Sequence, residues 1–184
     1  MEEVLGRGFG LCIAFVVPGL VALWGASFIE PSIGVWLAAA SQTGPTVGGF
    51  LFVLLGSITA GLTASAVRWV VLDSIHHWTG VEPPRWRLCV LQENLDAYQV
   101  LVEYHYRHYQ FYANTLVSGA FALGAKAASG GIRVGSFWMI IGWAALAVVF
   151  FAASRDTLRK YYSRVAELLS AGKGHDHGER RSCA

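Results

Sequence analysis

The chain has 184 residues, of which 54% are hydrophobic and only 14% charged, with a formal net charge of +2. A soluble domain carries about a quarter charged residues. Together with a mean hydropathy of +0.46, this excludes an ordinary aqueous globule and a disordered chain. Three cysteines are too few for a disulfide scaffold.

What remains is an all-α integral membrane protein. Four stretches approach the roughly 20 apolar residues a membrane helix needs. They are 10–29, 46–67, 111–125 and 137–153. The first holds Pro18-Gly19, which predicts a kinked helix. It resembles a signal peptide in length, but Glu2 and Glu3 outnumber Arg7 before it, so an uncleaved helix is expected. The stretch 30–45 reads as an outer loop with Trp36 and a Gly44-Pro45 turn. The third segment is the weakest, with Asn114, Thr115 and Ser118 inside it.

Twelve of the fourteen Lys and Arg fall on one side of this arrangement, and Lys126 and Arg133 on the other. The positive-inside rule then places both termini and the middle loop in the cytoplasm of a cell-membrane protein.

Helices two to four outrun the bilayer. Each helical stretch is about 33 residues, or about 50 Å, against a hydrocarbon core of about 30 Å. The surplus predicts a cytoplasmic helical stalk built from about 68–110 and 154–170, within a single domain over 1–171. The polar end 172–184 reads as a disordered tail. Gly80 and Pro83-Pro84 supply the stop for helix two.

Helices three and four are joined by a Gly-rich turn over 129–135 and should form an antiparallel hairpin. Residue i should face roughly 263 − i. Arg107 is then expected opposite Asp156, and Glu103 opposite Arg159 or Lys160. Asp96, Gln99, Glu103, Arg107, Gln110 and Asn114 share one stripe of helix three at 100° per residue. The stripe is expected to glue helix three to helix four, with a polar path as the functional alternative. On helix four, Leu158, Tyr161, Tyr162, Val165, Leu168 and Leu169 form an apolar stripe that something must cover. In helix two, Gly56, Ala60 and Ala64, and Ser57, Gly61 and Ser65, form small-residue rows suited to close packing.

Asp73, His76, His77, His105 and His108 fall at similar heights near the inner surface. Two His pairs with a carboxylate would suit Zn²⁺ or another divalent metal. The competing reading is structural, since His is favoured near a helix C-terminus and among interfacial tyrosines. Arg85, Trp86 and Arg87 predict a segment lying on the inner leaflet.

The residues thus point first to a non-enzymatic oligomeric scaffold, sensor or pore-forming subunit acting with membrane partners. A metal-dependent enzyme or metal transporter is the alternative, and a channel lined by the stripe is the third. The bilayer and a second copy or a membrane protein are the expected partners, and nucleic acid is not.

Overall fold

The computed structural model describes residues 2–42, 47–84, 94–130 and 137–171. Among them every regular element is helical. Helix α1 is Glu2–Ala26, α2 is Pro31–Gln42 and α3 is Val47–Trp78. Helix α4 runs on through Leu95–Leu101, a π turn at Val102–Tyr106, and Arg107–Ala128. Helix α5 is Phe137–Ala171. Two of these, α3 and α5, are long and apolar enough to cross a membrane. Arg85, Trp86, Arg87 and the tail 172–184 lie outside the described residues.

The stretch expected as an outer loop holds α2 instead. Trp36 explains its position: the indole lies over Gly56 and meets Phe52 edge-on at 5.5 Å.

Helix α1 lies between α3 and α4. A Cβ on Gly19 would come within 1.7 Å of the Ser57 carbonyl oxygen, and one on Gly61 within 2.0 Å of the Phe15 carbonyl oxygen. The two backbones therefore touch, and only glycine permits it. This packing runs antiparallel. Against α4, α1 runs parallel: Gly10 meets Arg107, Ala14 meets Asn114, and Gly25 meets Ala122. The two small rows expected on helix two do not survive as such: Gly56, Ala60 and Ser65 are only partly buried, and the buried row is Ser57, Gly61 and Ala64, continuing to Arg68, Leu72 and His76. It faces inward, within one chain.

Helices α4 and α5 form the expected hairpin. Gly119 faces Trp143 and Tyr112 faces Phe150, within one residue of 263 − i. The ion pairs expected across it are not those observed. Arg107 pairs with Glu103 at 3.2 Å, and Lys160 with Asp156 at 2.6 Å, each within its own helix. Arg107 instead lies against Gly10 of α1. The hairpin is held by aromatic rings, Tyr106 on Tyr161 and Phe111 and Tyr112 on Phe150, and exposed charge pairs worth about 1 kcal/mol or less would add little.

The molecule has two packing regimes. Where α1, α3 and α4 meet, the interior is Gly, Ala, Ser, Thr and Asn. Beyond Arg68 and Phe111 the core becomes that of a water-soluble protein: Leu72, Val81, Tyr109, Leu158, Tyr161, Val165 and Leu169 cluster there. Tyr98, Leu101, Val102 and Tyr106 of α4 close over it. The apolar stripe of the last helix is thus covered by the same chain.

Candidate functional site

Two buried ionisable side chains lie where the two regimes meet. Arg68 is 3% exposed and His76 is fully buried. Both sit on the inward row of α3, two turns apart. The α3 C-terminus is fixed by Gly80, whose φ of +88° suits a glycine. Gly80 N–H donates to the His77 carbonyl and Val81 N–H to the His76 carbonyl. Arg155 of α5 then donates to the Thr79 carbonyl at 2.7 Å and to Thr79 Oγ1 at 2.8 Å. A cation at the negative end of α3 is favoured by the helix dipole.

The guanidinium of Arg68 lies 5.0 Å from the Tyr109 ring centroid. The Tyr109 hydroxyl donates a short hydrogen bond to the Asp73 carboxylate. Tyr109 therefore joins a buried cation to an anion through its face and its edge. Arg68 Nε and Nη1 have no hydrogen-bond partner. The ring contact is what offsets their desolvation.

His76 Nε2 is 3.2 Å from Ser154 Oγ of α5. Ser154 gives its own proton to the Phe151 carbonyl at 2.9 Å, so its oxygen accepts and His76 Nε2–H donates. That assigns the neutral tautomer by hydrogen bonding and leaves Nδ1 unpartnered. Burial holds the His76 pKa below its ordinary value; Asp73 opposes this, while Arg155 and His77 add to it. His77 stacks parallel to Tyr162, with its Nε2 3.4 Å from the tyrosine hydroxyl. Further out, Tyr98 and Tyr161 share a 3.2 Å hydrogen bond, and burial foremost raises the Tyr161 pKa.

The five expected metal ligands do not converge. Asp73, His76 and His77 are held by Tyr109, Ser154 and Tyr162. His108 is exposed on another face, beside Arg107, and His105 is half-buried within the π turn. Among the described residues no three His, Cys, Asp or Glu side chains could hold a metal. The cause lies in α4. Its π turn takes in His105, and beyond the turn Tyr109, not His108, occupies the place facing Asp73.

The expected polar stripe divides between surface and interior. Asp96 is exposed, and Asp156 and Arg159 are exposed on α5. Gln99, Glu103 and Arg107 stay together along a small surface cavity. Gln110 is half-buried, and Asn114, fully buried, donates to the Ala14 carbonyl at 3.0 Å. The stripe therefore fastens α4 to α1, not to the last helix. A cleft of about 440 Å³ opens beside it, lined by Gly10, Ile13, Glu103, Tyr104, Arg107, His108, Phe111 and Tyr112.

Arg68, Tyr109 and Ser154 were not singled out from sequence. Extending the Ser57–Gly61 row by further turns reaches Arg68 and His76 and would have marked both as inward. No family model matches the sequence, and neither a curated protein nor a solved structure matches it.

Proposed function

We propose that this chain is a cell-membrane protein that crosses the bilayer four times with both termini in the cytoplasm. The crossings are the parts of α1, α3, α4 and α5 that lie within 10–29, 46–67, 111–125 and 137–153. It serves there as a non-enzymatic, self-associating scaffold that carries a helical stalk.

The observation that carries the reading is inverted polarity. Helix α3 exposes Phe50, Phe52, Leu55, Leu62, Trp69 and Val70 while burying Ser57, Gly61, Arg68 and His76. Only 17% of its most apolar window, and 6% of that of α5, is buried within the chain. In water such surfaces would aggregate; in lipid they are solvated. The alternating directions of α1, α3, α4 and α5, with the excess of Lys and Arg at one end, support the topology.

Self-association is supported by the outer face of α5. A Cβ on Gly142 would meet nothing within 4 Å. Ala145, Val149 and Ala152 follow it at helical spacing and are exposed, a row that lets a second helix approach. The stalk offers partners a charged exterior of Asp156, Arg159, Lys160, Arg164 and Glu167, its apolar stripe being closed internally.

The test is labelling with an impermeant maleimide on intact cells, in a cysteine-free background. Ser129→Cys is expected to react, and Ser163→Cys only after permeabilisation; the reverse ends the topology. Native mass in nanodiscs is expected to exceed one chain and to fall to a monomer in Gly142→Leu. A monomeric wild type ends the scaffold reading.

The metal reading has less support because its residues are engaged elsewhere. The channel reading has less because α1 occupies the face of α4 that a pore would need.

A further inference from the structure

We propose that the cleft between α1 and α4 binds the headgroup of an amine-bearing zwitterionic phospholipid drawn from the inner leaflet. This rests on the membrane reading above and names a ligand for its inner face.

The cleft is two-sided. Ile13 and Phe111 lie where the uncharged stretches begin, and Glu103, Arg107 and His108 where the stalk begins. Its volume of about 440 Å³ falls in the range of small-molecule sites, about 300–1,000 Å³. That accommodates a headgroup and glycerol, with the acyl chains leaving along Ile13 and Phe111.

The charges choose the headgroup. Glu103 and Arg107 stand 3.2 Å apart, with side chains 34% and 16% exposed. A cation alone would favour an anionic lipid. A cation with a carboxylate beside it matches a phosphate with an ammonium beside it, and repels a headgroup that has only negative charge. Arg107 takes the phosphate, as a planar fork suited to it. Glu103 accepts from the ammonium, which has three N–H donors when primary and none when quaternary. Tyr104 and Tyr112 line the same cleft.

Two backbone features build this arrangement. The π turn at Val102–Tyr106 carries Glu103 and Tyr104 to the cleft, and such turns recur at functional sites. Gly10 makes room for the guanidinium: a Cβ there would lie 2.8 Å from Arg107 Nη1, the mobile end of a flexible side chain.

The experiment uses the full chain in nanodiscs containing equal phosphatidylethanolamine, phosphatidylcholine and phosphatidylglycerol with matched acyl chains. Native mass spectrometry counts the lipids retained. Phosphatidylethanolamine is expected to exceed phosphatidylcholine by about tenfold, the scale of one hydrogen bond to a charged group. Glu103→Gln should bring the two to parity, and Gly10→Ala should lower retention of all three by displacing the guanidinium, with circular dichroism unchanged in both. Equal retention by the wild type, or a preference for phosphatidylcholine through the tyrosine rings alone, overturns the proposal. So does a preference for phosphatidylglycerol, a preference that survives Glu103→Gln, or retention unchanged in Gly10→Ala. Recovery of the chain in the supernatant of an alkaline wash would overturn the membrane reading itself, and this one with it.

Discussion

Asn114 donates its side-chain amide to the carbonyl of Ala14 at 3.0 Å, the carbonyl that Pro18 leaves without its helical partner. Proline has no N–H, so the oxygen four residues earlier is orphaned. Asn114 reaches across from α4 to satisfy it, which makes the kink residue and the polar residue one device. Asn114→Leu should destabilise the protein by about 1 kcal/mol. In a Pro18→Ala background, where the amide at position 18 can bond Ala14 itself, the loss should shrink. A double-mutant cycle on thermal unfolding in detergent measures this, and strict additivity would refute the coupling.

The ion pair on α4 gives a second prediction. Arg107→Glu should lower the melting temperature, and adding Asp156→Arg should not restore it, because the two side chains do not meet. The swap Glu103→Arg with Arg107→Glu should restore part of it. Rescue by Asp156→Arg instead would mean that the charges do pair across the hairpin.

The glycines of α1 and α3 predict a third contrast. Gly19→Ala and Gly61→Ala force a methyl group onto backbone and should each cost about 1–3 kcal/mol. Gly142→Ala meets open space and should be neutral or stabilising by up to about 1 kcal/mol. Chemical or thermal unfolding of the three variants decides it.

The fourth prediction concerns pH. His76 lies beyond the uncharged part of α3, and burial lowers its pKa from the ordinary 6.5. The unfolded chain then binds the proton more readily than the folded one. Stability should be full above about pH 7 and should fall as pH drops through 6.5 toward the lowered value. His76→Gln, which keeps a donor toward Ser154, should flatten that slope. A slope unchanged in the variant would refute the assignment to His76, whose charged and titratable neighbours are Asp73 and His77 on α3 and Arg155 on α5.

Much of the architecture was legible in the sequence, for identifiable reasons. The hairpin register followed from a Gly-rich turn and straight helical rise, and Gly119 against Trp143 confirms it within a residue. The continuation of α3 and α5 past their apolar parts followed from helical patterns longer than those parts. Three features were not legible. The five-residue π turn at Val102–Tyr106 has no composition signal, yet it shifts the helical phase between the residues before it and those after it. The neighbour of α4 was misjudged because periodicity gives the face of a helix but not what it meets. The site residues were obscured because histidines attract attention as ligands. Here Ser154 and Tyr162, which carry no motif, hold two of them in place.

The parallel pairing of α1 with α4 has a consequence for biosynthesis. Ala14 and Asn114 are separated by 100 positions. At about 5–20 residues per second, a ribosome takes roughly 5–20 s to supply the second after the first. For that interval α1 has only α2 and α3 as neighbours among the described elements, and the Ala14 carbonyl and the Arg68 guanidinium both await α4. Assembly is therefore gated by the arrival of the 107–128 segment, and chains stalled or truncated before it should be the preferred substrates of quality-control proteases.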